Sequence, residues 1–253
     1  MSRIICFLKF GEYEHMKALA RGEMYFSNAS NFRKIEENEL IRGQGDKLEG
    51  GTSIKVKNMK VTDNVSNDTL HSNIAGSLCI FYDGVKQLPV YSLFACNEKD
   101  CTLHNDGTLE FHFTDETKKS IRKHFPKADS VAIIKNPDKF IINVEKTIGT
   151  VVFSDLVRYF DIYANNMEEI NNDLNYISYW LEIATHIQEG NEHKYTINEN
   201  NVFRFLLCKD IFFENEQEYR FILPKDTIKK GTIYHIRLNQ AISVVNLKEL
   251  FEK

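Results

Sequence analysis

Proline is scarce in this chain of 253 residues, with 4 positions, tryptophan occurs once, and glycine is held to 12. No stretch rich in Pro, Gly or Ser marks a linker, so one domain over residues 1–253 is expected. Cysteine is limited to five scattered positions, Cys6, Cys79, Cys96, Cys101 and Cys208. An odd count without regular spacing argues against a disulfide framework. No apolar run approaches the ~20 residues that span a bilayer. The opening apolar segment is short, is interrupted by Lys9 and leads to no small-residue cleavage site, so a cytoplasmic protein without a membrane role is expected. An excess of one charge is missing too, because 32 Lys and Arg face 36 Asp and Glu. A broad positive field for nucleic acid is thereby excluded, while a local basic groove remains open.

What is present suffices for a core, since 42% of the residues are hydrophobic. Ile4 to Leu8 reads as a buried strand, Glu12 to Arg21 as an amphipathic helix closed by Gly22, and Met24 to Ser27 as a second strand. Asn28, Ser30 and Asn31 favour a turn. Residues 33–77 are the most polar stretch, a loop region with one strand at Ser53 to Met59. Further strands are expected at Leu78 to Tyr82, Val90 to Cys96, Leu109 to Phe113, Ser130 to Ile134, Phe140 to Val144 and Val151 to Phe153. A short helix capped by Asp115 runs to His124, and Asn136 to Lys139 reads as a turn. Ile170, Leu174, Ile177, Trp180 and Ala184 recur at helical spacing, which predicts a helical insertion over about 166–189. Its aromatic stripe suits a core, a cover for a site or a face for an antitoxin-like partner. After a polar connection, strands return at Ile211 to Phe213, Tyr219 to Leu223, Thr232 to Ile236 and Ile242 to Val245. Strands, then helix, then strands indicate an α+β fold with a mostly antiparallel sheet.

Chemistry concentrates in Lys209 to Arg220. On an extended chain Glu214, Glu216 and Glu218 line one face and Arg220 continues the row. Such carboxylates repel unless a cation or ligand relieves them. The same row also suits a solvated edge strand that discourages pairing. Cys96 and Cys101, followed by His104 and His112, have a spacing borderline for zinc, whose cysteines stand about two to four residues apart. Scattered free thiols are the stronger reading, and no metal is assigned. Neither a phosphate loop nor a Gly-x-Ser-x-Gly elbow occurs.

The segment from Lys209 through Glu216, Glu218 and Arg220 resembles the closing signature of an uncharacterised bacterial domain family, with Phe213 and Tyr219 where that family has Trp. Tyr25-Phe26-Ser27 and Asn31-Phe32 resemble its opening. The order of elements is similar to the ADP-ribosyltransferase superfamily. Its three motifs fall by position on Lys9, on Tyr25 to Ser27 and on Glu216-Gln217-Glu218. The last matches fully, whereas Lys9 replaces an Arg or His. The resemblance implies a split, mostly antiparallel sheet with flanking helices, NAD as cofactor, and a toxin or antiphage effector acting on a protein or RNA acceptor, with an antitoxin or inhibitor protein as partner. Glu218 would stabilise the ribosyl cation and Glu216 would handle the acceptor. Lys9, Arg33 and Arg42 would neutralise the pyrophosphate, Ser27 would hydrogen-bond the cofactor and Tyr25 would stack on a ring. Two other readings stay open: a non-enzymatic nucleic-acid- or protein-binding module of a defence system, and a metal-dependent nuclease built on Glu214, Glu216 and Glu218.

Overall fold

The computed structural model describes residues 3–39, 48–63, 65–161, 174–189 and 192–252. In chain order, β1 (Ile4–Gly11), α1 (Tyr13–Ala20), β2 (Glu23–Phe26) and α2 (Ala29–Glu39) precede a long hairpin of β3 (Gly51–Thr62) and β4 (Thr69–Phe81). Next come β5 (Val90–Asn97), β6 (Cys101–Leu103), β7 (Leu109–Phe111), α3 (Asp115–His124), β8 (Ser130–Ile134) and α4 (Pro137–Thr147). The remaining strands are β9 (Phe153–Leu156), β10 (Arg158–Phe160), β11 (Ala184–Glu189), β12 (Glu192–Ile197), β13 (Cys208–Asp210), β14 (Glu218–Ile222), β15 (Thr232–His235) and β16 (Ser243–Asn246). The fold is α+β, with a mostly antiparallel sheet and flanking helices. Among the described residues no helix is long and apolar enough to cross a membrane.

Two compact units form. Met1–Lys47, Lys86–Val157 and Phe213–Lys253 make the first, and Leu48–Val85 with Arg158–Phe212 make the second. The first unit holds a six-stranded sheet in the order β16-β8-β1-β5-β14-β9, antiparallel at every pair. Its strands read as nearly continuous apolar runs because both faces are covered. One face packs Phe7, Leu93 and Phe221 against Met16 and Leu19 of α1 and Phe140 and Val144 of α4. The other packs Leu8, Phe10 and Phe94 against Ile121 of α3 and Leu250 and Phe251 near the C-terminus. Gly22 ends α1 with φ +93° and its carbonyl accepts from Ile236 N at 2.8 Å; the close approach leaves no room for a Cβ there. The ribbon β2–β15 starts from this corner.

In the second unit the helix Leu174–Ile183 carries Tyr176, Tyr179 and Trp180, all buried and ringed by Phe160 and Phe205. The aromatic stripe is therefore core. Glu182 on the same helix binds Arg158 at 2.6 Å and Arg204 at 2.7 Å.

Several sequence expectations change. Residues 33–77 are not mainly loop: the strand expected at Ser53 to Met59 lies within β3, and most of α2 and much of β4 fall in the same stretch. Register shifts near Val56, Met59 and Val61 break the alternation that betrays a strand. Asn28 does not simply end β2; its Oδ1 accepts from Asn31 N at 2.9 Å and starts α2. Phe140 to Val144 is helix rather than strand. Asn136 accepts from Lys139 N at 2.9 Å, Pro137 occupies the first turn, and Phe140 and Val144 bury one helical face. The long helix ends at Ile183, because the next residues pair as β11 with β12, formed by the supposed polar connection. The part of that helix from 166 to 173 lies outside the described residues. Ile211 to Phe213 begins a 3₁₀ segment, Ile211–Glu216, in place of a strand.

Candidate functional site

The site is set by a parting of strands in the first unit. β1 pairs with β5 only as far as Leu8 opposite Phe94, and Lys9 to Gly11 continue along β8 alone. Beyond that point Ser27 takes up Val90 of β5, by hydrogen bonds of 3.0 and 2.8 Å between their backbones. One strand, β5, thus borders two different neighbours on one edge, and its other edge carries β14 from Val90 to Phe94.

Lys9 stands where the strands separate. Its Nζ donates to Ser92 O at 2.7 Å and sits 4.7 Å from the centre of the Tyr91 ring. Burial lowers its pKa from 10.5 to about 8, and the Glu218 carboxylate pulls it partly back. Lys9 and Glu218 therefore feel each other, although their strand positions alternate. Leu8, Phe94 and Glu218 share one row of the sheet, and Lys9 leaves the opposite face with Phe7. Only its length carries the ammonium to the parting.

Glu218 opens β14, and its side chain is 13% exposed. Its Oε2 accepts from Arg220 Nη2 at 2.7 Å and Nε at 3.2 Å, and the Arg220 side chain is 2% exposed. Their alternation on a true strand places both on one face. Ser92 lies opposite Arg220 on the same face, and its buried Oγ has no hydrogen-bond partner among the described residues. An orphaned buried hydroxyl calls for a ligand or water. Ser92 escaped the sequence reading, although a lone Ser within the apolar run Val90 to Ala95 was a usable signal.

Glu216 does not join this row, and the expected alignment of Glu214, Glu216 and Glu218 is not formed. The 3₁₀ segment puts residues three apart on one side, so Phe213 and Glu216 both face α3. Glu216 Oε1 lies 3.2 Å from His124 Nδ1, with both side chains under a tenth exposed, and the Phe213 ring is 6.2 Å from the imidazole. Gln217 then turns the chain with φ +41°, and its Oε1 accepts from Asn97 Nδ2 at 2.8 Å. A Glu-x-Glu spacing implies a shared face only on extended chain, and here the extended chain begins at Glu218, two residues too late.

The other assigned residues are spread along the ribbon and α2. Tyr25 is 60% exposed and lies over Gly231, where a methyl group would overlap its hydroxyl. Ser27 Oγ accepts from Asn31 Nδ2 at 3.3 Å. Through Val90, Ser27 shares a face with Ser92 and Glu218, but it stands four β5 positions from the Glu218 row, about 13 Å along the strand. Arg33 is half-buried on α2, and Arg42 lies outside the described residues. The structure thus sets Ser92, Glu218 and Arg220 on one face, brings the Lys9 ammonium to the Ser92 carbonyl from the other, keeps Tyr25 and Ser27 along the adjoining ribbon, and withdraws Glu216.

No protein family, curated protein or solved structure matches the chain.

Proposed function

We propose that the first unit is an NAD-dependent ADP-ribosyltransferase in which Glu218 is the single working carboxylate. The observation that carries this reading is the unpartnered Ser92 hydroxyl beside the Arg220-held Glu218, with the Lys9 ammonium on the Ser92 carbonyl where β1 parts from β5 and within the electrostatic reach of Glu218. Cleavage of the nicotinamide–ribose bond builds positive charge on the ribose. A carboxylate fixed before the reaction stabilises that charge without reorganising. Arg220 orients Glu218 through two hydrogen bonds to Oε2. Ser92 supplies a free donor for a substrate oxygen, Lys9 a cation for the diphosphate, and exposed Tyr25 a surface for stacking. Glu216 acts as a positioning residue: its buried contact with His124 anchors the turn from which β14 starts. The acceptor is a protein or an RNA, and the setting is a toxin or antiphage effector restrained by an inhibitor protein.

Labelled NAD added with cell extract tests the reading. Transfer of label to an acceptor, with release of nicotinamide, is the expected outcome. One observation favours a second reading, a non-enzymatic binding module: Glu218 is already engaged by Arg220, as a purely structural carboxylate would be. Absence of both NAD binding and turnover in every extract would select it. The nuclease reading loses its ligand set, because Glu216 and Glu218 no longer share a face.

Lys9 adds a pH signature. With a pKa of about 8, it is charged below that pH and neutral above it. NAD affinity should therefore be strongest below pH ~8 and fall as the pH rises through it. Lys9→Arg, which stays charged, should bind without that inflection. Calorimetric titrations of both proteins on either side of pH ~8 decide the matter, and a parent affinity flat across that range removes Lys9 from the site.

A further inference from the structure

Three of the five thiols, distant in sequence, converge. Cys6 and Cys96 are cross-strand partners on β1 and β5, so their side chains leave the same face. A tight turn then returns the chain: Asp100 N donates to Asn97 O at 3.0 Å, and Asn97 N donates to Asp100 Oδ2 at 3.0 Å. This brings Cys101 to the other two. The Cys6 and Cys101 sulfurs are 4.0 Å apart, and all three sulfurs lie within 4.8 Å of one another. None is in a disulfide, and the three residues are 0%, 0% and 2% exposed. Cys79 and Cys208 take no part in the group.

We propose that Cys6, Cys96 and Cys101 form a three-sulfur binding site for a single soft cation of low coordination number, Cu⁺. Metal–sulfur bonds of about 2.3 Å in a trigonal plane set sulfurs ~4.0 Å apart, so the cluster closes on an ion with shifts of well under 1 Å. Thiolates select Cu⁺ or Zn²⁺, and the missing fourth ligand separates them. A tetrahedral zinc site needs one more donor. His104, the candidate suggested by spacing, is held by Glu110 at 2.9 Å, and His112 contacts Thr102 at 3.0 Å. Among the described residues no other His, Cys, Asp or Glu joins the three sulfurs. The three cysteines lie in one buried apolar cluster with Leu8, Phe94 and Phe113. Each thiol that binds releases its proton to solvent as the metal–sulfur bond forms, and no electron changes hands. Occupancy would also fasten the turn that grips Gln217: Asn97 Nδ2 donates to its Oε1 at 2.8 Å, and its Nε2 donates to Asp100 Oδ1 at 3.1 Å.

The test is an anaerobic titration of the reduced full chain with Cu⁺ against a competing chromophoric chelator, repeated with Zn²⁺. One equivalent of Cu⁺ retained in preference to Zn²⁺ is the expected result. Cys6→Ser and Cys96→Ser should each weaken binding by at least ~100-fold, and Cys79→Ser should leave it unchanged. Cys96→Val keeps the apolar volume, so loss of Cu⁺ with an unchanged melting midpoint separates lost ligation from lost folding. No retained Cu⁺ in the parent chain, undiminished binding in Cys96→Val, or tighter retention of Zn²⁺ than of Cu⁺ would each overturn the assignment. These readouts use no NAD and stand apart from the proposed transferase activity.

Discussion

Glu218→Gln is expected to lower NAD cleavage by about 10²–10³, or ~3–4 kcal/mol of transition-state stabilisation. The substitution keeps the shape of the side chain and removes the charge that opposes the ribosyl cation. It also leaves Arg220 with a weaker partner, so part of the effect will be on folding. Rates should therefore be compared well below the melting midpoint of the variant, at equal folded fraction. Hydrolysis and transfer should fall together, because both pass through the same cation. Glu216→Gln should behave differently. Its partner is His124 rather than substrate, so the loss should appear in stability, with hydrolysis and transfer scaling only with the folded protein. Selective loss of transfer in a fully stable Glu216→Gln protein would restore the acceptor role that the Glu-x-Glu spacing suggests. Equal activity of Glu218→Gln and the parent would end the transferase proposal.

Arg220→Ala should cost about 3–5 kcal/mol of stability, read as a shift of the urea midpoint. Arg220 is 1% exposed and sits on an inner strand of the six-stranded sheet, where its guanidinium holds Glu218 by two hydrogen bonds. Truncation leaves a carboxylate without its cation and a cavity the size of the lost side chain. The double variant Arg220→Met with Glu218→Gln should recover part of the loss, because it removes both charges and refills the volume. An Arg220→Ala midpoint equal to that of the parent would show that the pair holds nothing in place. The charge that holds Glu218 comes from two residues along the same strand, whereas Lys9 leaves the opposite face of β1, with β5 between the two strands.

The strands of the first unit were legible because their apolar runs are short, β-branched and bounded by turn residues. Ile4 to Leu8 and Ser130 to Ile134 lie wholly in strands, and Tyr219 to Leu223 overruns β14 by one residue. The helix at Pro137 was hidden because Asn136-Pro137 serves equally as a turn and as a helix start. Only the burial of Phe140 and Val144 on one side decides between them. Of the hairpin β3–β4 only Ser53 to Met59 and the end from Leu78 were legible, because bulges interrupt the alternation by which the rest of a strand is recognised.

Composition and local pattern alone determined the α+β class, the lack of any apolar run near ~20 residues and the concentration of carboxylates near Glu218. Those features depend on burial and on period, which neighbouring residues carry. Tertiary structure alone decided which groups meet. It set Ser92 beside Arg220 and brought Lys9 to the parting of β1 from β5. It turned Glu216 inward to His124 and gathered Cys6 with Cys96 and Cys101 across 95 residues of chain. The physical reason is register. A shift of one residue reverses the face of every side chain on a strand, and one left-handed residue, Gln217, separates two glutamates that spacing places together.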